Sequence, residues 1–111
     1  MNADSSPVSA LASTSTTPAA LRVEGELTIY RAAALKQHLL GWSHEAPVVE
    51  LDLAEVTEID TAGIQLLLAL KRKVVAMERE LRLVAHSQVV REALRTVGMA
   101  AMFGIGVSEA V

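Results

Sequence analysis

The chain has no cysteine among its 111 residues. This excludes disulfides, thiolate chemistry and cysteine-rich zinc sites, and it agrees with a reducing compartment. Long apolar runs are missing too. Nothing approaches the roughly 18 or more residues of a membrane span, and the N-terminus lacks the basic and apolar stretches of a secretory signal. A cytoplasmic protein without direct membrane insertion is the expectation. Nor is there an excess of positive charge: Lys and Arg number 10 against 13 Asp and Glu, a net charge of −3. The electrostatic footprint of a nucleic-acid binder is therefore absent. The one dense basic run, Lys71-Arg72-Lys73, would point its side chains about 100° apart on a helix and reads as a solvated face, not a patch. No internal repeat is visible. No nucleophile elbow, P-loop or dinucleotide fingerprint occurs. His38, His44 and His86 lack the i, i+4 spacing of a metal pair, and His86 beside Ser87 reads as a capped loop. Nothing meets the nucleophile–base–orienter requirement, so the chain reads as a non-enzyme with no catalytic residue, no metal and no cofactor.

The length allows one domain with one modest core. Residues 1–18 are rich in Ser, Thr, Ala and Pro, with Asp4 the only charged side chain. Such a segment buries too little apolar area to offset its ordering entropy, so it reads as a flexible tail, with the domain over residues 19–111. From Leu21 the pattern changes. Leu21-Arg22-Val23-Glu24 alternates until Gly25 breaks it. Residues 30–42 repeat apolar side chains at helical spacing, through Ala32, Leu35, Leu39 and Trp42. Val49, Leu51 and Leu53 alternate with Glu50 and Asp52 as a half-buried strand. A second helix is expected over residues 61–80, a further strand over 81–85, and a third helix capped by Ser87 and stopped by Gly98. The order is that of an α/β domain. Its βαβ unit should be parallel with a right-handed crossover, leaving Glu50, Asp52 and Arg82 on an open sheet face.

The stretch of most interest is Ile59-Asp60-Thr61-Ala62-Gly63, where a strand meets the second helix. Helix N-termini carry unsatisfied N–H groups and partial positive charge. Asp60 and Thr61 are both good cap types, and such a spot can equally receive a phosphate or a carboxylate. Gly63 permits close approach of backbone or ligand. On the helix, Gly63, Leu66, Leu67, Leu70, Val74 and Met77 form the stripe expected to face the core, with Gln65, Arg72 and Arg79 in solvent. Ile64, Leu68 and Val75 form a second apolar line. It can pack on a neighbouring helix or serve a partner, and both hold together if Val75 is buried and Ile64 exposed.

These residues together resemble the STAS family, the sulfate-transporter and anti-sigma-factor-antagonist domain, over residues 21–103. The resemblance is carried by Glu24-Gly25-Glu26-Leu27, Val49-Glu50-Leu51-Asp52-Leu53, the Ile59–Gly63 turn, Leu81-Arg82-Leu83-Val84 and Val90-Arg91-Glu92-Ala93-Leu94. It implies a single small domain, a mixed β-sheet with helices packed on one face, and a regulatory protein-interaction module in signal transduction. In the family's partner-switching members the turn usually reads Asp-Ser-Ser-Gly, and a kinase-type anti-sigma factor phosphorylates the second serine. The matching residue here is Ala62, which offers no oxygen; Thr61 is the remaining candidate acceptor. The implied docking surface is Asp60, Thr61, Ala62, Gly63, Ile64 and Leu68. The implied partner is an anti-sigma factor or a chemotaxis-type histidine kinase, with a homodimer compatible. The alternative is the STAS subunit of an ABC-type lipid transporter, which binds the ATPase subunit. Members of that kind have Thr followed by a small residue at this turn.

Overall fold

The computed structural model describes residues 18–42 and 46–106; the reading of residues 1–17 as a tail and the position of His44 fall outside them. Three strands and three helices alternate: β1 (Ala19–Leu27), α1 (Ala32–Leu40), β2 (Val48–Ile59), α2 (Thr61–Ala76), β3 (Glu80–His86) and α3 (Gln88–Thr96), followed by a 3₁₀ turn, Ala101–Phe103. The sheet order is β1-β2-β3, and both pairings are parallel. The α/β class holds, but among the described residues the sheet is parallel throughout rather than mixed. Each pair of successive strands is joined through a helix, and a helical crossover returns the chain in its original direction. Two successive right-handed crossovers in one direction put α1 and α2 on the same sheet face.

Burial follows that arrangement. Leu21, Val23, Val49, Leu51 and Leu53 are buried, while Arg22, Glu24, Arg82 and Val84 on the other face are exposed. Glu50 lies opposite Arg82 in register, yet the Arg82 guanidinium pairs with Glu80 of its own strand at 2.9 Å. Arg82 thus pairs directly within β3 and feels Glu50 of β2 only through space.

Gly25 does not end the first strand. It adopts φ +79° inside β1, where the register against β2 shifts, so it is a bulge. The Arg31 guanidinium donates to the Glu24 and Glu26 carbonyls at 2.6 and 2.7 Å and staples that bulge from outside. β2 also runs beyond Leu53 to Ile59, with its register shifting against both neighbours near Asp52, whose carboxylate accepts from the Ala54 N–H at 2.9 Å.

α2 packs as its leucine stripe requires: Leu67, Leu70 and Val74 are fully buried, and Gln65 and Arg72 are exposed. The helix stops at Ala76, with Met77 as its C-cap. Glu78 then takes φ +59°, while the Arg79 N–H donates to the Val74 carbonyl and the Glu78 N–H to that of Val75. This is a Schellman motif with glutamate where glycine is usual. Arg79 consequently lies past the helix and is half-buried, not on its solvent face. α3 starts as expected, with the Ser87 hydroxyl accepting from the Val90 N–H. It ends in a second Schellman motif at Gly98, where Met99 N–H reaches the Leu94 carbonyl. The basic run splits: Lys73 donates to the last carbonyl region of α1, at Leu40, and stands 5.8 Å from the Trp42 ring centroid, while Lys71 and Arg72 stay on the outer side.

Candidate docking site

In a parallel sheet all strands end at one edge, and the loops that follow them gather there. Leu27 and Ile59 are register partners, so the turn after β1 and the start of α2 meet. Asp60 joins them. One carboxylate oxygen accepts from the Gly63 N–H and the other from the Ile29 N–H, both at 3.0 Å, while the Asp60 backbone N–H donates to the Leu27 carbonyl. These bonds favour the ionised form: the Ile29 N–H first, then the Gly63 N–H, hold the carboxyl below the ordinary carboxylate value of 3.8. Asp60 is thus the cap of α2 and a tie between two loops.

Gly63 is explained by the same approach. A β-carbon there would lie 2.9 Å from the Leu27 Cγ and collide with the Leu27 carbonyl oxygen. The close neighbour is therefore β1 backbone, and the glycine lets α2 start tight against the sheet.

With Asp60 as cap, Thr61 is left free. It is the first helical residue, exposed, and its hydroxyl has no hydrogen-bond partner among the described residues. Ala62 beside it is half-buried. The expected roles of Ile64 and Val75 are reversed: Ile64 is 8% exposed and belongs to the core, whereas Val75 is 55% exposed. The reason is the path of α3. Val89 and Ala93 of α3 and its C-cap Val97 line, with Ile64, Thr61 and Asp60, a cleft of 440 Å³ at the start of α2, and among the described residues no strand or α-helix covers the last turn beside Val75. Leu68 is buried as well, facing Met99 and Met102. Asp60, Thr61 and Ile64 thus share one cleft, with Ile64 mostly beneath its surface, whereas Leu68 is buried beside the separate Met99–Met102 groove.

Two residues that sequence reasoning missed lie on top. Ile29 is 63% and Tyr30 89% exposed, in the turn that Asp60 fixes. Periodicity assigned Tyr30 to the first helix; its signal was a pair of large apolar residues between Leu27 and Ala32 that fits neither the strand nor the helix repeat. Among the described residues no group of three His, Cys, Asp or Glu side chains is placed to hold a metal ion, and no helix is long and apolar enough to cross a membrane. His38 bonds the Arg22 carbonyl at 3.1 Å, and His86 ends β3.

The fold has counterparts among solved structures. A sulfate transporter family protein from Wolinella succinogenes is similar at TM-score 0.65 and 20% identity, covering 78% of this chain and 71% of that one. The anti-sigma factor antagonist SpoIIAA, in its unphosphorylated form, is similar at TM-score 0.61 and 17% identity, covering 86% and 85%. The STAS domain of a SulP transporter from Vibrio cholerae is similar at TM-score 0.59 and 18% identity, covering 78% and 68%. At these identities the likeness is one of fold. Among curated proteins no match is found. The family model described as Mlab, STAS domain, matches residues 9–105, which is most of the chain, and the chain belongs to the STAS domain family.

Proposed function

We propose that this chain is a non-enzymatic regulatory module that docks a signalling protein through the turn and helix start at residues 60–68, together with Ile29 and Tyr30. The observation that carries the reading is the pairing of a rigid turn with exposed apolar side chains. Asp60 locks the two loops together, and Tyr30 stands almost fully in solvent beside them. A tyrosine presented on a rigid turn loses little entropy on contact, which is the character of a binding hot spot. SpoIIAA, of similar fold, is an anti-sigma factor antagonist, and a partner of that regulatory kind, an anti-sigma factor or a chemotaxis-type histidine kinase, fits this surface. Ala62 removes the serine acceptor, so binding here is constitutive unless the exposed Thr61 hydroxyl is modified.

The second reading is a permanent STAS subunit that holds an ABC ATPase by the same surface. It is favoured by the Thr61-Ala62 pair, the combination that the family resemblance links to such subunits. One experiment separates the two readings. Protein is recovered from its native cells with bound partners, with Tyr30→Ala as the control. Recovery of a kinase or anti-sigma factor by the wild type alone supports the first reading. An ABC ATPase supports the second, and equal recovery by Tyr30→Ala removes the turn from both.

A further inference from the structure

Leu68, Lys71, Arg72 and Val75 stand at i, i+3, i+4 and i+7 and so share one face of α2. Among the described residues no strand or α-helix covers that face. It forms one wall of a mainly apolar groove of 510 Å³, whose other wall is Met99 and Met102 from the segment after α3. Val75 is 55% and Met102 44% exposed. Lys71 and Arg72 also line the groove, and neither forms an ion pair among the described residues. The face thus combines aliphatic floor, adaptable methionine and two cations, of which Lys71 also lies within the electrostatic reach of Glu80.

We propose that this groove is a second docking surface, which receives an acidic amphipathic helix of a partner protein. Helix-in-groove recognition reads an apolar stripe at i, i+3, i+4 and i+7, and methionine walls adjust to such stripes. Acidic residues flanking the stripe would meet Lys71 and Arg72, giving selection by charge in a chain that is otherwise net negative. A second copy of this chain fits less well: a two-fold contact brings the same patch against itself, so Lys71 and Arg72 would face their own duplicates. A membrane surface also fits less well, since two cations fall short of the 4–8 basic residues that hold an anionic bilayer and the apolar surface is concave. The groove shares the buried Leu68 with residues 60–68 but no lining residue with the cleft at the Asp60 turn, and it does not depend on the function proposed for that turn.

The test uses a synthetic helical peptide of about 15 residues with Leu at i, i+3, i+4 and i+7 and Glu beside the stripe. Its binding to the full chain is followed by fluorescence anisotropy. A peptide with Lys in place of each Glu and vesicles of anionic phospholipid serve as competing probes. Val75→Asp and the pair Lys71→Glu with Arg72→Glu change exposed or half-exposed side chains, and thermal melting of each verifies the fold. The expected result is binding of the Glu peptide that falls about tenfold or more in both groove variants and is unchanged in Tyr30→Ala and Thr61→Glu. Four outcomes overturn the proposal: no binding of the Glu peptide, equal binding of the Lys peptide, retention of affinity in the folded groove variants, or vesicle binding or self-association that depends on Val75 while the peptide does not bind.

Discussion

Both carboxylate oxygens of Asp60 are occupied by backbone N–H groups, one from the turn after β1 and one from the first turn of α2, so its titration reports on the turn. Its pKa is held below 3.8, which means the folded chain binds the proton less readily than the unfolded chain. Above the unfolded value both states are ionised and the stabilisation is full. As pH falls below 3.8 the unfolded chain takes up the proton first, and the stabilisation is lost progressively through the folded pKa. Asp60→Asn retains one acceptor oxygen where two are needed. The difference in melting temperature between wild type and Asp60→Asn should be constant above about pH 5 and narrow below that; a difference that does not depend on pH would show that the carboxylate charge contributes nothing. Glu78 is the other informative residue. It holds φ +59° at the end of α2, where an L side chain is strained by about 1–2 kcal/mol and glycine is not. Glu78→Gly should therefore stabilise the domain by about 1 kcal/mol, raising the melting temperature by roughly 4–8 °C. A lower melting temperature would mean that the Glu78 side chain supplies more than its backbone strain removes.

At the scale of elements, α2 gives the sharpest contrast. Leu67 is fully buried and Gln65 exposed. Leu67→Ala should cost about 2–5 kcal/mol by removing buried methyl groups and leaving a cavity, and Gln65→Ala less than about 0.5 kcal/mol, both read by denaturant unfolding. Equal losses would contradict the observed orientation. This orientation was legible from the sequence because the leucine stripe repeats over four turns, as were the Ser87 cap and the Gly98 stop of α3. The end of α2 was not, because its stop signal is Glu78, a residue type that seldom adopts positive φ. The continuation of β2 was hidden by Glu55, Thr57 and Glu58, whose alternation shifts phase after the register shift at Asp52. The second apolar line of α2 was visible, yet which end of it lies buried depends on where α3 crosses, and that is a tertiary fact. In the candidate site, Asp60 and Gly63 were recognisable as cap and close-approach types. The tie to Ile29 and the exposure of Tyr30 came only with the three-dimensional meeting of two strand ends.

For the molecule as a whole, the family match starts at residue 9, inside the segment whose composition reads as a tail. A truncation series locates the boundary. Removal of residues 1–8 and of residues 1–18 should both leave the melting temperature unchanged if the folded unit starts at β1. A loss of stability confined to the longer cut would place the start of the domain at the beginning of the family match. The proposed docking surface lies at the other end of the sheet, where the loops after β1 and β2 meet at Asp60 and Thr61 and Tyr30 are presented to solvent. The most direct test is the affinity of the captured native partner for the unmodified chain and for Thr61→Glu. A glutamate at the first helical position suits the helix dipole and should leave folding intact, but it places charge and bulk on a surface that the partner must cover. The account predicts binding of the unmodified chain and at least about a tenfold loss, near 1.4 kcal/mol, in Thr61→Glu at unchanged melting temperature; equal affinity of the two proteins would contradict docking at this turn.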